Sequence, residues 1–353
     1  MKLGIIGLPQ SGKSTIFNAL TGSERAVEMS AGRIEIHIEV VNVPDIRLDA
    51  LADLYQSKKT VYAQISFADV AGLGSSEGKQ ALSGQLINAL TGMDGLLLVL
   101  RAFENDTVPH PEGSVDAARD LTALLDELLL NDLIIVERKL ERLAEERQKG
   151  GTDIVQNERQ QALLVRLQEA LADGRHLRDL ELTEDEVQSV SGHGLITLKP
   201  TMVVLNLGEG QESPSVGSGS LNVLPLQGKL EMDLAQLSTE EAEEFLAEYE
   251  LEERSAGRVI RAAYDLLNSQ TFYTVAEKEA HAWILKRGGS ALEAAHRIHS
   301  DIARGFIRAE VIGADELLEL GDMAAARDAG KLRLEGKNYT MQDGDIINVR
   351  FNV

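Results

Sequence analysis

Residues 7 to 14 read GLPQSGKS. This Gly-x-x-x-x-Gly-Lys-Ser run directly follows an apolar stretch, Lys2 to Ile6, and opens an amphipathic segment, Ser14 to Leu20, which Gly22 is placed to end. A strand, a glycine-bearing loop and a helix in that order restrict the fold more than any other part of the chain. Glycine lets backbone N–H groups turn inward around the oxygens of an anion, and the start of the helix adds its positive dipole end. Gly7 and Gly12 supply that freedom, with Leu8, Pro9, Gln10 and Ser11 between them. Lys13 is placed to set its ammonium on the β- and γ-phosphates of a nucleotide, and the Ser14 hydroxyl, next to Thr15, to hold Mg²⁺. A Gly-rich turn that only joins strand to helix is the plainer reading, and both flanks argue against it.

The surrounding pattern agrees with an α/β fold. Ile34 to Val43 alternates apolar and polar residues like an edge strand, Val61 to Val70 alternates less cleanly, and Leu96 to Leu100 is a continuous apolar run suited to a strand buried on both faces. Strand character returns at Thr201 to Leu205 and, after a Gly- and Ser-rich loop from Gly208 to Ser220, at Leu221 to Leu226. Helical segments between these strands predict an open, mostly parallel sheet whose ligand lies beyond the carboxyl ends of the strands. At those ends stand two further groups of candidates. Asp69 is placed to reach the Mg²⁺ shell and Gly72 to meet the γ-phosphate; an ordinary Asp-Gly turn is the alternative. The next residue, Leu73, cannot orient an attacking water as a glutamine would, which implies slow hydrolysis or a water held by other groups. Asn206, Leu207, Gly208 and Glu209 follow the Thr201 to Leu205 strand, where a base would be read. Guanine reading by Asn-Lys-x-Asp is imperfectly matched, because Leu207 replaces the lysine and Glu209 is one methylene longer than aspartate. ATP and GTP therefore both stay open as ligands.

From Ser114 the texture changes. Leu129, Leu133, Val136, Leu140 and Leu143 keep a four-three spacing with charged residues between them, and Leu164, Leu167 and Leu171 repeat it after Lys149, Gly150 and Gly151. This predicts an antiparallel coiled-coil hairpin whose longer arm reaches about 50 Å. Arg138, Lys139, Arg142 and Arg147 alternate there with glutamates and read as a solvated, self-paired face. Residues Thr239 to Leu267 read as helical. In the last part, Phe272 to Val275 and Ala282 to Leu285 read as strands, Ala291 to Arg304 as a helix, and Asn338 to Met341 and Ile346 to Asn352 as strands around the Asp343-Gly344-Asp345 turn. The expected division is thus 1–110 with 196–268 as the nucleotide domain, 111–195 as a helical insertion, and 269–353 as a small α+β domain. Phe272 and Trp283 read as core.

Composition excludes several classes. No cysteine is present, which removes disulfides and thiolate chemistry and suits the cytoplasm. The seven histidines show no metal-ligand spacing, and no Ser-His-acid set stands out. No export signal is expected ahead of the first strand, and no apolar run is long enough to span a membrane. A net charge of −22 argues against coating nucleic acid by general attraction. From Thr271 onward, however, 11 basic residues nearly balance 13 acidic ones, so any RNA or ribosome contact is expected there or at a local patch.

Taken together, GLPQSGKSTIFNALTG, VPDIRLDALADLY, DVAGL, LRDLELTEDE, NLGE and the closing segments QTFYTVAEKEAHAW, HSDIARGFIRAEVI, AGKLRLEGKNY and DGDIINVRFNV resemble the YchF or Obg-like ATPase group of translation-factor-related P-loop NTPases. The resemblance covers nearly the whole chain. It implies a C-terminal TGS domain of ubiquitin-like fold, hydrolysis of ATP, in several members in preference to GTP, and association with ribosomes. It implies that Gly7 to Thr15 form the phosphate loop, Asp69 to Gly72 the switch near Mg²⁺, Asn206 to Glu209 the base-reading segment, and Gln227, Gly228 and Lys229 the last base-contacting loop. Leu73 matches the family's apolar replacement of the catalytic glutamine. Two departures stand out: Gln10 where the family has asparagine, and Arg33 where its first switch carries a threonine for Mg²⁺. They keep a second reading open, that of a nucleotide sensor or scaffold that does not hydrolyse its ligand.

Overall fold

The computed structural model describes residues 1–24, 36–70, 84–149, 154–248 and 254–352. The chain opens with β1 (Lys2–Ile6), α1 (Lys13–Thr21), β2 (Ile36–Asn42), α2 (Ile46–Leu54), β3 (Thr60–Val61) and β4 (Gln64–Val70). Then come α3 (Gly84–Thr91), β5 (Gly95–Arg101), α4 (Ala117–Lys149), α5 (Ile154–Ala172) and α6 (Glu184–Val190). β6 (Thr201–Asn206), β7 (Asn222–Leu226), α7 (Gly228–Leu234), α8 (Thr239–Glu248) and α9 (Ser255–Leu266) follow. The remainder is β8 (Ser269–Val275), β9 (Ala280–Lys286), α10 (Ala291–Ile298), α11 (Ser300–Arg304), β10 (Phe306–Gly313), α12 (Ala314–Leu320), α13 (Met323–Asp328), β11 (Arg333–Glu335) and β12 (Asp345–Phe351).

The first sheet has the order β2-β4-β1-β5-β6-β7. Pairing from β4 through β7 is parallel, with Ile5 opposite Asp69 and Leu97, and Arg101 opposite Asn206. β5 and β6 are buried along their whole length, which is why they read as unbroken apolar runs. Ile6, Ala68, Leu98 and Val203 of the sheet pack with Leu90 of α3 and Leu121 and Leu124 of α4. Parallel pairing brings the carboxyl ends of β1, β4, β5, β6 and β7 to one edge, so the loops that leave them converge.

At 33 residues α4 extends about 50 Å, and it pairs with α5. Val136, Leu164, Leu167 and Leu171 form the buried seam, joined by Leu129, Leu133, Leu140 and Leu143, as the spacing predicts. One polar residue interrupts the apolar register. Asp132 is 0% exposed. Its carboxylate accepts hydrogen bonds from the backbone N–H groups of Ile196 (3.0 Å) and Thr197 (2.7 Å), from the Thr197 hydroxyl (2.7 Å) and from the Asn131 amide (3.1 Å). Burial raises its pKa against the opposing pull of those bonds.

Two compact units result: Met1–Glu39 with Ser66–Val259, and Val40–Ile65 with Ile260–Val353. The helical hairpin groups with the first. The second contains a sheet of order β11-β10-β12-β8-β9-β3, cored by Phe272, Leu285, Ala294, Ala309, Val311 and Ile347, with Trp283 packed against it. Its membership departs from the expected boundary at 269 and from the assignment of all of 1–110 to the nucleotide domain. Val40–Ile65 joins the C-terminal unit because its polar groups find partners there. Asp45 caps α2 through the Arg47 and Leu48 N–H groups and accepts the Tyr273 hydroxyl at 2.6 Å. Arg47 meets Asp343 at 2.9 Å, and β3 pairs with β9.

Two further expectations are corrected. Asn338 to Met341 is not a strand beside the Asp343 turn but a single bridge, Ser290 to Thr340. β12 pairs instead with β10, antiparallel, and with β8, parallel. The helix expected over Ala291 to Arg304 breaks at His299, whose extended backbone ends α10 and whose ring accepts the Asp301 N–H at 3.1 Å to start α11. Among the described residues no helix is long and apolar enough to cross a membrane.

Candidate nucleotide-binding site

The loop between β1 and α1 has the shape its glycines predict. Gly12, at φ 88°, is the residue before α1 and provides no side-chain cap, which leaves the first N–H groups of the helix facing outward for a ligand. Pro9 and Gln10 form the turn, and Gln10 takes φ 63°, a left-handed conformation that a side chain seldom adopts. A Cβ at Gly7 would strike the Val99 carbonyl of β5, and one at Gly12 would strike the Asn206 amide. Close packing therefore requires both glycines, and Gly12 is required by its positive φ as well.

The charged groups meet as expected. Lys13 folds back over the loop, and its ammonium donates to the carbonyls of Gly7 (3.1 Å) and Leu8 (2.9 Å). Burial lowers its pKa to about 8, with the nearby Asp69 opposing the shift. From the next position the Ser14 hydroxyl donates to Asp69 Oδ2 at 2.9 Å. Asp69, 2% exposed, stands near the carboxyl end of β4 beside the central strand, so sheet register alone delivers it to the loop. Thr15 lies in the first turn of α1. Gly72, Leu73 and Arg33 lie outside the described residues.

The expected base-reading segment makes several contacts within the protein. Asn206 is 3% exposed and both ends of its amide are engaged inside the protein: Nδ2 donates to the Ser11 carbonyl at 3.0 Å, and Oδ1 accepts the Gly228 N–H at 3.2 Å. It braces the phosphate loop against the start of α7. A Cβ at Gly228 would stand 2.6 Å from Asn206 Oδ1, so that residue too must be glycine. Leu207 is buried in the apolar cluster with Leu205 and Leu221, and its N–H donates to Leu226. Glu209 is exposed in the turn that follows. Gln227 stands half-buried just before α7 with no capping bond.

Three residues escaped the sequence reading. Gln211 closes the turn over Gly208, accepting the Gly208 N–H at 3.1 Å and donating to the Ala102 carbonyl. Phe103 follows β5 and approaches both loops: a Cβ at Gly12 would lie 3.8 Å from its ring, and one at Gly208 3.6 Å from its Cβ. Arg101, the last residue of β5, is 2% exposed and lies with its guanidinium 4.6 Å from the Phe103 ring centroid. An arginine ending an apolar strand two residues before an aromatic was the available signal.

Mg²⁺ fits the donors present. The ion prefers hard oxygen ligands and draws much of its shell from phosphate and water, and the site offers one hydroxyl and one carboxylate side by side. Among the described residues no group of three or more His, Cys, Asp or Glu could hold a metal unaided.

Comparison with known proteins agrees with this geometry. Residues 2–139 match the family described as 50S ribosome-binding GTPase, and residues 269–352 match the YchF-GTPase C-terminal family, described as a protein of unknown function. The chain is 38% identical to the Ribosome-binding ATPase YchF of Pasteurella multocida, over 100% of this chain and 99% of that one. It is 37% identical to the protein of the same name from Bacillus subtilis, over 99% of each. The solved structure of the Schizosaccharomyces pombe YchF GTPase superposes with a TM-score of 0.86 at 29% identity, covering 99% of this chain and 97% of that one. A GTP binding protein from Pyrococcus horikoshii, at 15% identity and a TM-score of 0.56, shares the fold. With its phosphate loop, its C-terminal unit and full-length identity of this order, the chain belongs to the YchF family.

Proposed function

We propose that this chain binds a purine nucleoside triphosphate with Mg²⁺ and hydrolyses it slowly, as a cytoplasmic switch associated with the ribosome. The observation that carries the reading is the cradle itself: an uncapped helix start, Lys13 held over the loop by two carbonyls, and Ser14 hydrogen-bonded to Asp69. On binding, Lys13 exchanges those carbonyls for β- and γ-phosphate oxygens, and the N–H groups at the start of α1 take the remaining oxygens. Ser14 and Asp69 would hold the Mg²⁺, whose positive charge would offset the negative charge that builds on the phosphates. Gly72 is assigned to the γ-phosphate and, since Leu73 cannot orient water, turnover is slow.

ATP is the favoured substrate. Asn206 is committed to bracing and Leu207 to the core, which leaves the Asn-Lys-x-Asp mode of guanine reading without two of its side chains. The relatives' names, Ribosome-binding ATPase, support both the nucleotide and the partner. Single-turnover hydrolysis with Lys13→Ala as control tests the enzyme, because a sensor would bind nucleotide and release no more phosphate than that variant. Competition between ATP and GTP tests the base.

A contact with RNA is proposed for the second unit on one observation. Exposed Arg308 and Arg350 stand opposite each other on β10 and β12, Glu310 accepts from Arg350 and from exposed Arg327, and the same two strands carry Ile307 (58% exposed) and Phe351 (44%). Cationic and apolar side chains together suit a phosphate backbone with unstacked bases. Salt-dependent binding of ribosomal RNA that is unchanged in Arg308→Ala/Arg350→Ala would dismiss it.

A further inference from the structure

Arg178 is a half-buried cation whose side chain no described residue engages. It sits in the single 3₁₀ turn Leu177–Asp179, which follows α5 at the root of the hairpin. The turn itself is firmly held: Leu177 is 0% exposed within the hairpin's apolar seam, and the Arg178 N–H donates to the Thr197 carbonyl at 3.0 Å. Thr197 is in turn fixed by Asp132. The guanidinium, by contrast, makes no hydrogen bond and no ion pair among the described residues. Its Nε and Nη1 are buried without partners, which leaves Nη2 as the nitrogen open to an incoming group. Two carboxylates stand within electrostatic reach of the turn, and neither closes on the guanidinium. Asp179 accepts the Ser220 hydroxyl at 2.8 Å instead, and Asp126 of α4 is exposed. Beside Arg178 the His176 ring is half-buried and equally unpaired, with Nδ1 buried and Nε2 open. Burial, and then the charge of Arg178, lowers the His176 pKa, with Asp179 and Asp126 opposing.

We infer that Arg178 and His176 form a binding site for a single phosphate group, in which Arg178 Nη2 donates a charge-assisted bond to one oxygen and the His176 Nε2–H donates to another. A partly desolvated guanidinium without an acceptor is unfavourable, and its fork of N–H donors suits the oxygens of a phosphate. The neighbouring carboxylate of Asp179 is committed to Ser220, so the acceptor comes from outside the chain, and in a partly buried place an anion satisfies a cation better than water does. One fixed positive charge beside a neutral donor matches both a singly charged phosphodiester and inorganic phosphate. Phosphate is therefore the shared chemistry, and its source is either the free ion or the backbone of an RNA. Because Leu177 and the bond to Thr197 fix the turn in advance, little further ordering accompanies binding. The site shares no residue with the phosphate loop and does not depend on the nucleotide-binding reading.

The imidazole reports on its own site. In the full chain with labelled histidine rings, inorganic phosphate exchanged for chloride at constant ionic strength is expected to displace the His176 resonances and to raise that ring's titration midpoint, since a bound anion favours the imidazolium. Exposed His296 of α10 should keep its own values. Arg178→Gln is expected to remove the His176 response, and Lys13→Ala, which disables the phosphate loop, to leave it intact. A short single-stranded RNA, titrated in the same way, identifies the source. A response to inorganic phosphate assigns the free ion as sufficient. A response to RNA alone assigns the phosphodiester backbone, and Arg178→Gln should then make the salt dependence of RNA binding shallower by about one charge. His176 resonances moved by neither ligand, moved equally in Arg178→Gln, lost to phosphate in Lys13→Ala, or moved by phosphate no more than those of His296 overturn the inference. Should Arg178→Gln fail to fold, the unaltered chain still decides through the comparison of His176 with His296.

Discussion

Replacing Asn206 tests whether the phosphate loop is shaped by its own sequence or by a brace from across the sheet. The side chain is buried, and it satisfies one acceptor, the Ser11 carbonyl, and one donor, the Gly228 N–H. In Asn206→Ala both are left without partners inside the protein, at about 1–3 kcal/mol each, so a loss of about 2–6 kcal/mol of stability is expected. Asn206→Asp is the sharper probe because it preserves shape. Its one oxygen still accepts from Gly228, while the other now faces the Ser11 carbonyl, acceptor against acceptor, and carries charge into a buried site. Its loss should equal or exceed that of alanine. Since the braced residue Ser11 lies within the phosphate loop, tripolyphosphate affinity should fall along with stability. Urea unfolding monitored by circular dichroism and calorimetric titration with Mg²⁺-tripolyphosphate measure the two quantities. An Asn206→Asp protein with unchanged unfolding midpoint and unchanged affinity would refute the brace.

Lys13 offers a prediction with a definite sign. Its folded pKa, lowered to about 8, lies below the ordinary lysine value, so between about pH 8 and 10.5 the unfolded chain holds the proton more tightly and stability should rise with pH across that window, a gain absent from Lys13→Met. Phosphate oxygens should restore the ammonium. Tripolyphosphate binding near pH 8.5 should therefore take up a proton, seen as a dependence of the heat on buffer ionisation enthalpy, and a result with no such dependence contradicts the buried position of Lys13. At the root of the hairpin, Asp132→Ala leaves the Ile196 and Thr197 N–H groups unsatisfied and should cost about 3 kcal/mol or more, with faster hydrogen exchange at both amides. Unchanged exchange there would show that α4 is not tied to this segment through Asp132.

What the sequence could say was local. The loop from Gly7 to Ser14 is legible because its demands fall on consecutive residues: a strand, glycines where a Cβ would collide, and a lysine and serine at the helix start. The hairpin is legible because its seam repeats every three or four residues along one helix, and the buried strands β5 and β6 because both faces must be apolar. Full-length similarity then carried the family. The rest depends on partners far apart in the chain. Nothing near Asn206 shows that its amide will meet Ser11, 195 residues away, and nothing near Asp132 shows that the backbone of Ile196 and Thr197 will come to it inside a hydrophobic seam. β10 was overlooked because Arg308 and Glu310 interrupt its apolar pattern, and Glu310 is held there by Arg327 of α13 and by Asn348 and Arg350 of β12. Val40–Ile65 joined the second unit by the same logic, through Tyr273 and Asp343. Periodicity and backbone sterics act over a few residues and can be read from the chain as written; the pairing of buried polar groups and the convergence of strand ends act through space, and only the folded arrangement decides them.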